Sequence, residues 1–280
     1  MNSPIIATPK VTKYILDRFK LTANKKLGQN FLIDPEVVRR IAEAAELTAR
    51  DQVLEIGPGI GTLTQGLAES GARVVAVELD QRLLPVLATT LKDYSNVQII
   101  QGDILQTPIM EHVEPGFKCC ANLPYYITTP IIFALLEQKL PLERMVVMMQ
   151  KEVAERMTAE PGGREYGALS VAMQYYTEPR IAFKVPSSSF LPAPNVESAV
   201  LVCKKRNVPP VQLQSEDAFF RVVKAAFSLR RKMLNNSLKN MELTSEEVKA
   251  WLTRAGIDGQ RRAETLTLQE FANLANTLEQ

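Results

Sequence analysis

The sequence predicts an α/β fold: a mostly parallel sheet covered by helices, followed by a small all-helical region. Three observations carry this. From Asp51 onward, short runs rich in Val and Ile alternate with helical patterns. Those runs are continuously apolar rather than alternating, as strands covered on both faces are. Past Asn207-Val208-Pro209-Pro210 the strand signal stops and only helical periodicity continues.

In chain order, strands are expected at Gln52–Ile56, Arg73–Glu78, 97–102, 118–122 and 145–150, with helices at Thr62–Glu69, 81–94 and 130–137 between them. A helix at 35–47 precedes this run. A helix at 151–159 is followed by the breaker Pro161-Gly162-Gly163, then by a helix at 166–176 and strands at 181–185 and 199–204. The last region reads as helices at 216–238, 245–255 and 267–278. Ser215 and Thr244 are the expected N-caps, because a hydroxyl there can accept from the first free N–H groups, and Gly256 is an expected stop. The expected organisation is a basic arm and leading helix (1–50) belonging to the catalytic domain, that domain proper (51–206) and a helical domain (207–280).

Composition narrows the chemistry. The 280 residues are 46% hydrophobic and 23% charged, an ordinary globular balance. No apolar run reaches the roughly 18 residues of a membrane span, and the start has no signal-peptide core, so a cytoplasmic protein is expected. His112 is the only histidine, and Cys119, Cys120 and Cys203 are too few for a disulfide framework or zinc site. A histidine triad and a metal centre are therefore not expected. The net charge of +2 conceals segregation: residues 1–50 and 200–280 each carry +4, and the stretch between them −6. Basic ends on a neutral total suit a polyanionic partner gripped at both ends.

At the first strand-to-helix turn, Gly57, Gly59 and Gly61 permit close backbone approach to a ligand at a helix N-terminus. Their spacing is not that of the dinucleotide fingerprint. Roughly 20 residues on, the second strand ends at Glu78, where a carboxylate can accept from ribose hydroxyls. The third ends at Gly102-Asp103, where a second acid can accept from an adenine amino group. Each acid alone reads equally well as a solvated turn. In register at successive strand ends, they make a nucleoside site along one sheet edge. That order resembles the class I methyltransferases, Rossmann-like enzymes that use S-adenosylmethionine.

The fourth strand ends in Asn122-Leu123-Pro124-Tyr125-Tyr126. An aromatic amine is a poor nucleophile because its lone pair is delocalised into the ring. Acceptors on its N–H bonds, the Asn122 side chain and the Leu123 carbonyl, return density to nitrogen. Pro124 stiffens the turn, and the Tyr125 ring can stack on a base. Cys119 and Cys120, inside the apolar strand, read as core rather than as nucleophiles. Phe190, in Phe190-Leu191-Pro192-Ala193-Pro194, reads either as a second platform for the base or as a plug over the core. The 25–32 segment, with Lys25, Lys26, Gln29 and Asn30, reads as a basic arm or as a lid over the methionine end of the cofactor.

Together these motifs resemble the rRNA adenine N6,N6-dimethyltransferase family from about Lys25 to Leu274. The Leu-Gly-Gln-Asn-Phe-Leu arm at 27–32, the Phe-Ser-Leu-Arg-Arg-Lys run at 227–232 and Arg262-Ala263-Glu264 add to the match. Glu197 stands where relatives often carry Asp, and Gly163-Arg164 where Ser-Lys is common. The resemblance implies S-adenosylmethionine-dependent dimethylation of two adjacent adenosines in the 3′-terminal hairpin loop of 16S rRNA, within a partly assembled small subunit. A monomer is expected, since no large exposed apolar stripe is evident. The resemblance places Gln29, Asn30, Leu32, Gly57, Glu78, Asp103 and Asn122 around the cofactor, with Gly59, Leu79 and Ile104 beside them. Asn122, Tyr125 and Phe190 would frame the target base. The 216–238 helix would put Phe220, Val223, Phe227, Leu234 and Leu238 on an apolar side, with Arg221, Lys224, Arg230, Arg231 and Lys232 alongside it to grip phosphates. An Erm-type large-subunit methyltransferase and a non-catalytic RNA-binding assembly factor are the alternatives.

Overall fold

A computed structural model describes residues 4–24, 27–138, 140–229 and 231–278. Lys25, Lys26 and Arg230 lie outside the described residues. The chain divides into two compact units, residues 1–154 with 180–205, and residues 155–179 with 206–280. A crossing at 205/206 lies beside the boundary read from Asn207. The 155–179 segment, expected with the catalytic domain, groups instead with the C-terminal helices, because Tyr166, Val171 and Tyr175 share a core with Phe219, Val222 and Phe271.

The first unit opens with α1 (Pro9–Arg18), β1 (Phe31–Leu32) and α2 (Pro35–Ala44). The alternating run follows: β2 (Gln52–Ile56), α3 (Thr62–Glu69), β3 (Arg73–Glu78), α4 (Leu84–Thr90), β4 (Val97–Gln101), β5 (Phe117–Asn122), α5 (Thr128–Glu137) and β6 (Leu142–Gln150). After α6 (Lys151–Met157) and α7 (Ala168–Tyr176) come β7 (Thr177–Val185), β8 (Phe190–Leu191) and β9 (Ser198–Lys205). Seven strands form one sheet in the order β4-β3-β2-β5-β6-β9-β7. The five strands from β4 to β6 are parallel, and β9 runs antiparallel to β6.

Parallel register sends β2, β3, β4 and β5 to the same edge, which is what gathers the site. At the opposite edge, buried Lys118 pairs with Asp51 at 3.2 Å and donates to the Glu46 carbonyl at 2.7 Å. Arg144 there pairs with Glu46 at 2.6 Å.

Strands β1 and β8 are not among those expected, β7 begins four residues early, and three helices differ most. The sequence pattern predicts no helix at α1. It begins at Pro9, is capped by the Thr8 hydroxyl and is fastened through Ile6, whose N–H donates to Gln65 Oε1 at 2.9 Å. The helix expected over 81–94 yields a tight turn at 81–83 and a shorter α4, with Pro85 in its first turn. The long helix expected over 216–238 is interrupted: α8 spans Glu216–Phe227 and α9 only Leu234–Ser237. In a continuous helix the Leu234 and Asn235 N–H groups would bond back to residues 230 and 231. They donate instead to the carbonyls of Arg261 (2.9 Å) and Gly259 (3.1 Å). A Cβ on Gly259 would lie 2.1 Å from Asn235 Oδ1, so any other residue there would displace the Asn235 side chain.

The remaining helices follow their sequence signals. Ser215 caps α8, and Thr244 and Thr267 form capping boxes with Glu247 and Glu270 at α10 (Ser245–Arg254) and α11 (Leu268–Asn276). Gly256 takes the left-handed conformation, φ 70°, just past α10.

Helices α2 and α3 meet at Gly66, where a Cβ would lie 2.3 Å from Val38 Cγ1. Alanine would gain about 1 kcal/mol of helix propensity, but the β-branched valine cannot swing aside, and overpacking costs about 1–3 kcal/mol. Gly66→Ala is expected to be net destabilising by urea unfolding; an equal or higher midpoint would show that the α2–α3 contact yields freely.

Candidate active site

The C-terminal ends of β2 to β5 and the 27–32 arm enclose one cavity. Its glycine turn uses the left-handed region at Gly57 (φ 68°) and Gly59 (φ 62°), and a Cβ built on Gly57 would meet nothing within 4 Å. The backbone is thus bare toward the cavity. Glu78 sets the turn: one carboxylate oxygen accepts from the Gly59 N–H at 3.0 Å, the other from the Asp80 N–H at 2.8 Å. Burial raises the Glu78 carboxyl above its ordinary range, and these backbone donors oppose the rise. Asp103 sits at the end of β4 on the same wall, its Oδ1 accepting from Leu105 N at 3.0 Å.

The arm is laced to this edge by its polar side chains. Gln29 Nε2 donates to Asp80 Oδ2 at 2.9 Å, while its Oε1 accepts from the Asn24 N–H at 2.8 Å. Asp80 also binds Arg82, which holds its carboxyl below the usual range. Asn122 Nδ2 donates to the Asn30 carbonyl at 3.2 Å, tying the end of β5 to the arm. The Asn30 side chain folds back on the Gly28 carbonyl at 3.1 Å. Gln29 therefore pins the arm through both ends of its amide, a role its sequence position did not reveal.

Beyond Asn122, the Leu123 N–H donates to the Met148 carbonyl on β6 at 3.0 Å. The Pro124 carbonyl accepts from the Ile127 N–H and the Thr128 hydroxyl, closing the turn into α5. The Tyr125 hydroxyl lies 2.6 Å from Ser198 Oγ on β9, which locks the ring. Burial raises the Tyr125 phenol pKa, partly offset by Ser198.

Gln29, Asn30, Leu32, Gly57, Gly59, Glu78, Leu79, Asp103, Ile104 and Asn122 all line this cavity, as do Leu123, Pro124 and Tyr125. Phe190 does not. Its ring is 2% exposed and packs with Leu32, Val37, Val38 and Val200, because β8 pairs with β1 and sets Phe190 opposite Leu32. Of the two readings of Phe190, the geometry is that of the core plug.

Two cavity residues to which the sequence assigns no role stand out. Tyr126 stands half exposed at the mouth. Glu55, on β2, is 1% exposed, and its Oε2 has no hydrogen-bond partner. Burial pushes the Glu55 carboxyl up to about 8, opposed by Thr64 and reinforced by the Glu78 charge. Cys119 and Cys120 are fully buried; burial and then the Glu55 charge push Cys119 up to about 12, so a thiolate nucleophile is disfavoured.

Arg221 and Lys224 lie on the exposed side of α8, and Arg231 and Lys232 on the exposed turn before α9, not on a helix side. The buried stripe of α8 is Phe219, Val222, Val223 and Ala226; Phe220 is only partly buried, stacked on Tyr176 at 5.5 Å. Glu197 reaches Lys151 at 2.8 Å. Among the described residues no helix is long and apolar enough to cross a membrane, and no cluster of His, Cys, Asp and Glu could hold a metal ion.

A family model described as ribosomal RNA adenine dimethylase matches residues 20–280. The chain belongs to this family. The ribosomal RNA small subunit methyltransferase A of Staphylococcus carnosus (strain TM300) is 47% identical over 99% of this chain and 97% of its own length. The protein of that name from Geobacillus thermodenitrificans (strain NG80-2) is 49% identical, over 98% and 97%. Among solved structures, the 23S rRNA methyltransferase ErmE superposes with a TM-score of 0.70 at 29% identity, over 90% of this chain and 100% of that one. A dimethyladenosine transferase from Plasmodium falciparum gives 0.70 at 27%, over 87% and 95%. The dimethylase family thus has here a Rossmann-like class I methyltransferase sheet.

Glu55 makes stability depend on pH in a defined direction. Its folded-state pKa lies above the ordinary value of 4.5, so between 4.5 and about 8 the folded protein holds a proton that the unfolded chain releases. That contribution is fully present below 4.5 and is lost as pH rises through about 8. Glu55→Gln should remove this slope, so that its melting temperature relative to wild type rises from pH 5 to pH 8. A constant difference across that range would mean that Glu55 is ionised in the fold.

Proposed function

We propose that this chain transfers methyl groups from S-adenosylmethionine to N6 of two adjacent adenosines in the 3′-terminal hairpin loop of 16S rRNA, within an assembling small subunit in the cytoplasm. The observation that carries the reading is that Glu78, Asp103 and the Asn122–Tyr125 turn share one cavity wall. The relatives that match at 47–49% over nearly the whole chain support the choice of small-subunit RNA.

The residues suit the cofactor. Glu78 offers buried acceptors to the ribose hydroxyls, Asp103 an acceptor to the adenine amino group, and the bare Gly57 backbone allows close approach. When bound, the cofactor supplies an electrophilic sulfonium methyl. The chain's own part is positioning. Because Asn122 Nδ2 is held by the Asn30 carbonyl, its Oδ1 is the end of the amide available to accept from the target amine. That hydrogen bond keeps density on nitrogen. Tyr125, locked through Ser198, presents a fixed ring on which an unstacked base can lie. No strong general base is required, because the nitrogen becomes acidic as it gains the methyl group and its surplus proton can pass to water. Arg221, Lys224, Arg231 and Lys232, with Lys25, Lys26 and Arg230, grip phosphates without reading sequence.

The test offers unmethylated small and large subunits to the chain with methyl-labelled cofactor and maps the label. Label at two adjacent adenosines of small-subunit RNA is expected; label confined to large-subunit RNA would replace this reading with the Erm type. Asn122→Ala should lower turnover by about 100-fold or more while particle binding persists. Undiminished turnover in that variant would remove Asn122 from the chemistry.

A further inference from the structure

With Phe190 buried, the cavity wall carries two adjacent tyrosines that diverge. Tyr125 is half-buried and turned toward β9, where Ser198 fixes its hydroxyl. Tyr126 turns the other way, toward the arm. Its Cδ1 would lie 3.4 Å from a Cβ built on Gly28, which is left-handed at φ 59°. The ring is 56% exposed while lining the cavity mouth, so it spans the boundary between cavity and solvent. A ring at the rim offers a flat apolar face beside the opening through which a base would enter the cavity. Nothing on the inner wall needs Tyr126: the turn is closed by Pro124, Ile127 and Thr128, and the end of β5 by Asn122 and Asn30.

We propose that Tyr126, with Gly28 beside it, forms a second nucleobase subsite at the cavity mouth. It stacks the unpaired base next to the one held at Tyr125. The inference rests on the reading of the site as an RNA adenine methyltransferase centre and adds to it. A flipped base leaves its neighbour with one face unstacked, and an exposed ring at the rim replaces that lost partner. Gly28 serves the platform by taking the left-handed conformation that brings the arm against the ring. Because the substrate pair is adjacent in sequence, the neighbour of either adenosine can be the other one, so the platform would hold the second target while the first reacts.

The experiment measures RNA KM and kcat for Tyr126→Ala, Tyr126→Leu and Tyr126→Phe on unmethylated small subunits, with S-adenosylmethionine affinity by calorimetry. Stacking requires a flat ring, so Ala and Leu should both raise KM by about five-fold or more, and Phe should restore it. Leucine controls for bulk: rescue by Leu as well as Phe would reduce Tyr126 to apolar packing and overturn the subsite. Parallel loss of cofactor affinity in Ala and Leu would overturn it too, by assigning the ring to support of the arm. If wild type itself places no label on small-subunit RNA, the functional reading fails first. If wild type labels it and Ala keeps the wild-type KM, only the subsite fails.

Discussion

Parallel strand register is the constraint on which the rest depends. Because β2, β3, β4 and β5 all run the same way, their C-terminal ends deliver Glu55, Glu78, Asp103 and Asn122 to one edge of the sheet. Hydrophobic continuity of the strands supplies the driving force, since Val53, Val74, Val75 and Cys119 are all fully buried. Polar groups at the edge are what such a sheet leaves over. Glu78 converts the leftover into a site by holding the Gly59 and Asp80 N–H groups at once, which couples the glycine turn to the next strand.

Much of this was legible in the sequence, for local reasons. Gln52–Ile56, Thr62–Glu69 and Arg73–Glu78 fall where the pattern puts them, because β-branched runs and a glycine turn mark both ends. The cavity-lining acids follow from those strand ends. What stayed hidden is non-local. The pairing of Phe31–Leu32 with Phe190–Leu191 joins two dipeptides far apart in the chain, and no periodicity marks so short a strand. That pairing is what buries Phe190.

The break after α8 was hidden for a related reason. Ser228-Leu229-Arg230-Arg231-Lys232 contains neither Gly nor Pro, so the helical pattern runs on across it. The break comes from the carbonyls of Gly259 and Arg261, which capture the N–H groups that would have continued the helix. Likewise Gln29 gave no sign that both ends of its amide would be used to pin the arm, because Asp80 is distant in sequence. In each case tertiary hydrogen bonding overrode a local preference.

Strand-end carboxylates and Asn122 are thus proposed to hold a nucleoside cofactor against an amine-binding turn. A crystal structure of the chain with S-adenosylmethionine tests this most directly. The expected result is the ribose hydroxyls on Glu78, the adenine amino group on Asp103 and the methyl-bearing sulfur beside the Asn122–Tyr125 turn. A cofactor bound with its ribose away from Glu78, or with its sulfur remote from that turn, would contradict it.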